Sequence, residues 1–192
     1  AFERHVIDGA TVVDARPFGS FGAGHVAGSL SNALRPVFAS WLGWLVALEQ
    51  PLVFVLEPDQ DRDLLVRQCL DVGLENLIGE LGGGFEAWTR SGRPLSTIRV
   101  VDINHLDSTV VDVRQPDEYR TGHIPGTVNI EVAAMATADL PSGSLTVMCG
   151  HGERAMTAAT LIAATGREEV SVLDGGPDTW TVATGLALET TT

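Results

Sequence analysis

Short apolar runs alternate along the chain with longer segments in which polar and apolar positions are mixed. Residues 109–113 form a β-branched run with one Asp, and Leu145–Met148 and Val170–Leu173 are short apolar runs, which is typical of buried strands. Residues 155–164 are rich in Ala, Met, Leu and Ile at a spacing suited to a buried helix. Strands of this kind, separated by helices, predict an α/β fold with a parallel sheet covered on both faces.

The chain repeats this pattern. Residues 12–34, VVDARPFGSFGAGHVAGSLSNAL, align without a gap with residues 110–132, VVDVRQPDEYRTGHIPGTVNIEV. Farther along, LGGGFEAW at 81–88 matches LDGGPDTW at 173–180. Two copies of one unit therefore predict two small domains, residues 1–97 and 98–192, each with a small parallel sheet and helices on both faces.

The stretch VMCGHGERAM, residues 147–156, places a cysteine where a predicted strand ends and a predicted helix begins. Gly150 and Gly152 allow the backbone to curl there, and N–H groups ahead of a helix attract an anion. A thiolate at Cys149 is such an anion, so the loop predicts a reactive cysteine. The alternative is an inert, buried cysteine at the end of a strand, since free cysteines are commonly buried.

The second repeat resembles a rhodanese domain. The resemblance rests on ordered motifs, and the first repeat keeps a weaker version of them. In the second repeat they are Asp112-x-Arg114, Glu118-Tyr119-x-x-Gly122-His123-Ile124-Pro125-Gly126, Cys149-x-x-Gly152-x-Arg154-Ala155, Asp174-Gly175-Gly176 and Trp180. In the first they are Asp14-x-Arg16, Gly24-His25-x-x-Gly28, Gly82-Gly83-Gly84 and Trp88.

The resemblance implies a sulfurtransferase that needs no cofactor. The loop cysteine first becomes a persulfide, and the outer sulfur atom is then transferred to a thiol or to cyanide. On this chain Cys149 is the sulfur carrier, and the N–H groups of the loop stabilise the persulfide. The implied loop residues are Gly150, His151, Gly152, Glu153 and Arg154. The implied bracing residues are Glu118, expected to pair with Arg154, and the pair Asp112 and Arg114.

Loop length separates two chemistries within the family. Six residues from Cys149 to Arg154 resemble the sulfur-handling members, whereas seven resemble phosphatases and arsenate reductases. Many thiosulfate-using members carry a cation inside the loop, but this loop has His151 and Glu153 there. A persulfide such as glutathione persulfide is therefore as good a candidate donor as thiosulfate, and we expect His151 to face the substrate. An interaction module that holds persulfide without efficient turnover stays open as an alternative.

Most other marked residues are interpreted as structural. His123 is expected to pack within its turn, Trp88 and Trp180 to anchor the two cores, and Cys69 to lie in the core after the first loop. Phe38, Trp41, Trp44 and Leu45 could form one apolar helical stripe, facing either the core or a docking partner.

The first repeat lacks a nucleophile. The alignment of LVFVLEPDQDRD with LTVMCGHGERA places Glu57 at the cysteine position and Arg62 at that of Arg154. The loop has no glycine, Pro58 lacks an N–H, and Ser20 stands where the second repeat has Glu118. We therefore expect the first domain to be inactive in sulfur transfer.

The composition of the chain limits the classes of partner that it could bind. The net charge is −13, all 12 cationic residues are arginine, and they form no cluster, which argues against nucleic acid and anionic membranes. With two cysteines and no CxxC or HxH pattern, we expect no metal site and a reducing, cytoplasmic compartment. The segment 38–45 resembles one in tandem rhodaneses fused to a metallo-β-lactamase-like domain. Together with a start that lacks Met, it favours a fragment of such a fusion.

Overall fold

A computed structural model of the chain describes residues 1–106 and 108–191, except the side chain of His105. It divides into two compact units, Ala1–Thr97 and Ile98–Thr192. Each unit is a parallel α/β sheet flanked by helices, as the apolar pattern predicts.

The described strands of the first unit form a sheet of order β2-β1-β3-β4, and each pair is parallel. β1 and β3 lie in the middle, and β3 is buried along its whole length, as expected of a strand covered on both faces. The strands are β1 (Thr11–Asp14), β2 (Leu30–Ser31), β3 (Leu52–Val55) and β4 (Leu77–Glu80). The helices are α1 (Phe2–Ile7), α2 (Phe18–Ala23), α3 (Phe38–Leu45), α4 (Arg62–Asp71) and α5 (Gly84–Arg90).

The described strands of the second unit form a parallel sheet of order β5-β9-β8-β6-β7. The strands are β5 (Arg99–Val101), β6 (Thr109–Asp112), β7 (Val128–Asn129), β8 (Leu145–Met148) and β9 (Val170–Leu173). The helices are α6 (Pro116–Thr121), α7 (Glu153–Ala164) and α8 (Pro177–Thr184), with 3-10 turns at Ile103–His105 and Val132–Ala134. Two predicted strands match β8 and β9 residue for residue, and α7 begins two residues before the predicted helix.

The two tryptophans of the repeat are core residues, as predicted. Trp88 is 9% exposed and packs with Phe2, Val12 and Val53. Trp180 is also 9% exposed, in a cluster of the second unit with Met148, Leu173 and Ile124. Cys69, in α4, is fully buried, which confirms its expected place in the core.

The interpretation of the segment 38–45 as one apolar stripe is wrong in part. The segment is a helix, but its buried residues are Phe38, Ala39 and Leu42, whereas Trp44 is 57% exposed. Positions 38 and 42 share a face at helical spacing, and position 44 points about 200° away from 42, toward solvent. The core thus takes the Phe and Leu of this helix and leaves Trp44 on the surface.

Candidate active site

Cys149 follows the last residue of β8 directly, and α7 begins four residues later. β8 lies between β6 and β9 in the sheet. In a parallel sheet the carboxyl ends of neighbouring strands meet at one edge, which is where α/β proteins place their ligand sites. The fold therefore puts Cys149 at the centre of that edge, beside the loops that follow β6 and β9.

The loop directs a backbone donor at the cysteine sulfur. The N–H of Gly152 donates to Sγ of Cys149 at 3.1 Å. Gly152 is the N-cap of α7 and has φ +96°, a left-handed conformation that favours glycine. The same residue thus turns the chain into the helix and aims its N–H at the sulfur, and the positive end of the helix dipole adds to this field. Both favour negative charge on Sγ.

Arg154 and Glu118 form the expected ion pair across the loop. Nη1 and Nη2 of Arg154 donate to the two carboxylate oxygens of Glu118 at 2.5 and 2.9 Å. This two-pronged hydrogen bond holds the pKa of Glu118 below its usual value, and the same bond raises the pKa of Arg154. Glu118 is itself fixed, because its carboxylate also caps α6 at the N–H of Gln115.

Asp112 and Arg114 form a second, deeper pair. Asp112 is fully buried, and its carboxylate accepts from Nε of Arg114 at 3.0 Å and from Nη2 at 2.7 Å. Arg114 also donates to the carbonyl of Gly122 at 2.8 Å, which ties the end of β6 to the turn before His123. His123 stacks on Tyr119 at 3.8 Å between ring centroids, and it is buried, in agreement with its predicted packing role.

The remaining loop residues differ in their exposure. Cys149 is only 1% exposed, Gly150 and Glu153 are half-buried, and His151 is exposed. Sγ of Cys149 is therefore nearly inaccessible to a reagent in solution, whereas the side chain of His151 is exposed to solvent.

The first unit's loop requires a correction to the alignment. β3 pairs with β1 so that Val55 lies beside Asp14, and β8 pairs with β6 so that Met148 lies beside Asp112. Since Asp14 and Asp112 are repeat equivalents, Leu56 and not Glu57 occupies the cysteine position. The first loop, from Leu56 to Arg62, is one residue longer than the second, from Cys149 to Arg154, so matching the two arginines without a gap shifts the cysteine position to Glu57.

That loop satisfies its own polar groups. The side chain of Gln60 accepts from the N–H of Glu57 at 2.7 Å and donates to the carbonyl of Ala15 at 2.7 Å. Arg62, whose expected partner is replaced by Ser20, bonds instead to Glu80 at 3.2 Å and to carbonyls of its own loop. Those carbonyls belong to Glu57, Pro58 and Gln60.

Sequence reasoning missed the part played by Gly176. The Asp-Gly-Gly motif marked the family, but nothing in the residue pattern indicated that its last glycine packs on the cysteine loop. A Cβ on Gly176 would come within 2.8 Å of the carbonyl oxygen of Gly150. Contacts between strands far apart in sequence are fixed only once the sheet order is known.

The described residues contain no cluster of three or more His, Cys, Asp or Glu that could hold a metal ion. Among those residues, no helix is both long and apolar enough to cross a membrane.

The sequence profile of the rhodanese-like domain matches residues 101–183. A thiosulfate sulfurtransferase GlpE of Pseudomonas paraeruginosa is 40% identical over 75 residues, which are 37% of this chain and 67% of the relative. Its counterpart in Ectopseudomonas mendocina is 36% identical over 45% of this chain and 82% of the relative. Among solved structures, a rhodanese-related protein of Thermoplasma volcanium shares 24% identity over 47% of this chain and 97% of its own, with a TM-score of 0.42.

The site thus holds a buried loop cysteine whose sulfur accepts a hydrogen bond from the N-cap residue of α7. The chain belongs to the rhodanese-like family, as the profile and the relatives establish. The relationship supports a sulfurtransferase enzyme of the rhodanese type.

Proposed function

We propose that the second unit transfers sulfane sulfur through a persulfide on Cys149. The Cys149 thiolate attacks the outer sulfur of the donor, so that a bond from Sγ to sulfur forms and the donor's S–S bond breaks. The electron pair of that bond leaves with sulfite, if the donor is thiosulfate, or with a thiolate, if it is a persulfide. Cyanide or a thiol then attacks the outer sulfur, takes it, and returns Cys149 to the thiolate without a cofactor.

The observation that carries this proposal is the hydrogen bond from Gly152 N–H to Sγ of Cys149 at 3.1 Å. Thiolate and persulfide are both anions, so one fixed donor and the helix dipole stabilise the start and the product of the first step. The loop Gly150, His151, Gly152, Glu153 and Arg154 is proposed as the sulfur cradle. The pairs Glu118–Arg154 and Asp112–Arg114 are proposed to brace it.

Two donor classes fit the loop. The first class is thiosulfate, which appears in the names of the relatives. Thiosulfate is a dianion, so a cation near the nucleophile would favour its binding. Between Cys149 and Arg154 this loop offers Glu153, an anion, and His151, which has an exposed side chain. A persulfide such as glutathione persulfide needs less positive charge and presents a slim terminal sulfur to a cysteine that is 1% exposed. We propose that it serves at least as well as thiosulfate.

The test is to incubate the whole chain with thiosulfate or with glutathione persulfide, and to measure thiocyanate or sulfide release and the intact mass. We expect Cys149 to gain the mass of one sulfur atom and to turn over when cyanide or thiol is added. Cys149→Ser should abolish both results, while Cys69→Ser, the matched control in the first unit, should leave both unchanged. The proposal fails if reduced protein takes up no sulfur from either donor.

A second candidate is a module that holds persulfide for another protein without efficient turnover. The observation that favours it is the 1% exposure of Cys149, since an acceptor must reach a nearly inaccessible sulfur. The same assay separates the two candidates, because the module predicts the sulfur adduct without release of thiocyanate or sulfide.

We also propose that the chain works in the cytoplasm, where Cys149 stays reduced. A metallo-β-lactamase-like domain is the proposed neighbour, based on the resemblance of the segment 38–45. The intact mass of the protein isolated from its own cells tests this neighbour, since a fusion must exceed the 20.3 kDa of the present chain.

A further inference from the structure

Gly176 presses on the backbone of the cysteine loop. It follows β9, the neighbour of β8 in the sheet, and it is the N-cap of α8. A Cβ built on it would lie 2.8 Å from the carbonyl oxygen of Gly150, 3.0 Å from Cα of Gly150, and closer still to the carbonyl oxygen of Cys149. These are backbone atoms, which cannot rotate away as the end of a side chain can.

The need for glycine at this position is steric rather than conformational. The backbone of Gly176 has φ −160°, which is extended and open to any residue. By contrast, the neighbouring Gly175 has φ +130°, and the nearest atoms that a Cβ there would meet belong to the side chain of Thr179. Within this pair, the closest contact with backbone of the cysteine loop is therefore made at Gly176.

We propose that Gly176 is a positioning residue for the nucleophile. The peptide between Cys149 and Gly150 lies against it, and that peptide fixes the direction of the Cα–Cβ bond of Cys149. A methyl group at 176 must displace this peptide, which moves Sγ away from the Gly152 N–H that it meets at 3.1 Å. In this role Gly176 acts through the peptide between Cys149 and Gly150, and not on the sulfur donor or acceptor. The inference rests on the proposed role of Cys149 in sulfur transfer.

The first unit supplies a matched control. Gly84 is the repeat equivalent of Gly176, and a Cβ on it would meet the carbonyl oxygen of Leu56, at the cysteine position, at 3.3 Å. Gly84 also has φ +65°, so alanine is strained there in any case. Gly84→Ala should therefore destabilise its unit without touching the nucleophile.

The experiment compares Gly176→Ala, Gly84→Ala and the parent chain in the rate of Cys149 alkylation by iodoacetamide from pH 5 to 10. For Gly176→Ala we expect at least a tenfold slower reaction per folded molecule at neutral pH, and a half-maximal rate at higher pH, because the thiolate has lost its donor. Persulfide formation on Cys149 should also be slower in Gly176→Ala than in the parent chain. In sulfur transfer, kcat should fall by a larger factor than KM rises. Gly84→Ala should keep the parent rate and pH profile while losing stability.

Each outcome decides the matter. A parent-like rate and pH profile in folded Gly176→Ala would overturn the proposal and leave Gly176 a packing residue. If Gly176→Ala does not fold, the measurements are repeated in trimethylamine N-oxide, which favours compact states. Failure to fold there, with Gly84→Ala folded, also rejects a positioning role. Alkylation requires no sulfur donor, so it tests Gly176 even if the proposed sulfur transfer fails.

Discussion

The two units carry the same scaffold around different loops. Each has a buried Asp–Arg pair whose arginine also holds a carbonyl eight residues on, at Gly24 in one unit and Gly122 in the other. Each stacks a buried histidine on the aromatic ring four residues before it. What differs is the direction of the polar groups in the loop after the central strand.

In the second unit an N–H of the loop points at the sulfur of Cys149, and the guanidinium of Arg154 is bound by the carboxylate of Glu118. In the first unit Gln60 takes the N–H of Glu57, and carbonyls of the loop bind Arg62 instead. With one N–H taken by a side chain and three carbonyls facing the arginine, the first loop leaves fewer donors for an anion. We therefore attribute the shared fold to these pairs and the proposed chemistry to a few loop residues.

The largest effect we expect comes from breaking the shared pairs. Asp112→Asn and Asp14→Asn each leave a buried arginine without its carboxylate, since both aspartates are fully buried. Each should cost its unit about 3 kcal/mol or more. Urea unfolding of the chain, fitted with one transition per unit if two are seen, measures the loss.

The rate of sulfur transfer compares the two units. Under conditions where both units remain folded, Asp14→Asn should keep the parent rate of sulfur transfer, because it weakens only the first unit, which we expect to be inactive. Losses below about 1 kcal/mol in either unit would contradict the view that these pairs hold the scaffold.

The next effect separates the two cysteines, which are equally buried. Burial raises the pKa of the Cys69 thiol to about 11, so that at pH 8 only about one thiol in a thousand is ionised. We expect iodoacetamide to modify Cys69 at least about a hundredfold more slowly in the native chain than in urea, where its pKa returns to about 8.5. Peptide mapping after timed labelling measures both rates.

Cys149 is the internal comparison in the same digest. It is 1% exposed against 0% for Cys69, but it receives the N–H of Gly152. We expect it to be labelled in the native chain. Equal native rates at the two cysteines would mean that burial governs both and that the loop confers no reactivity.

The sequence predicted the scaffold better than the loop contacts. Strands β8 and β9 matched to the residue because each is a short, mostly apolar run with one small hydroxyl residue, and buried Trp180 followed from the repeat. The Glu118–Arg154 contact came from a family resemblance, since nothing local joins residues 36 positions apart.

The failures share a physical cause. The first loop was misplaced by one residue because strand register, which fixes Leu56 opposite the cysteine, is a property of the sheet. Trp44 was assigned to an apolar stripe because hydrophobicity alone does not say which face of α3 meets the core. The close approach of Gly176 depends on the packing of two neighbouring loops.

A smaller effect concerns the ion pair between Glu118 and Arg154, the last residue of the loop. The hydrogen bond from Arg154 lowers the pKa of Glu118, so the pair stabilises the unit above the ordinary carboxyl pKa of 4.5, and that contribution is lost as the pH falls through the lowered value. Glu118→Gln should thus cost on the order of 1 kcal/mol at pH 7, a modest figure because the side chain is 41% exposed, and nothing in strong acid. Urea unfolding at pH 7 and in acid measures the difference.

The matched control is Glu80→Gln in the first unit. Arg62 keeps its three carbonyl acceptors when Glu80 is neutral, and both side chains are more than 40% exposed. We expect a change within about 0.5 kcal/mol at either pH. A Glu118→Gln variant with the same loss at both pH values would show that shape, and not charge, holds the loop.

In the last prediction we expect no effect, and it tests the difference between the two loops most directly. Leu56→Cys, made together with Cys149→Ser, puts a thiol at the cysteine position of the first unit. The Gln60 side chain still holds the N–H of Glu57, and Pro58 still lacks one. We expect no sulfur adduct by intact mass after exposure to thiosulfate or glutathione persulfide.

A positive control shows whether the loop alone is missing. In the same Cys149→Ser chain, the sequence CGHGER replaces residues 56–62, which removes one residue, and Ser20→Glu supplies the carboxylate that the new arginine needs. The first unit already has the buried Asp14–Arg16 pair and Gly84 against the loop carbonyl. If the directions of the loop's polar groups decide the chemistry, the transplant gains sulfur and Leu56→Cys does not. An adduct on Leu56→Cys alone would show that a cysteine at this strand end is sufficient and that the glycines of the second loop serve another purpose.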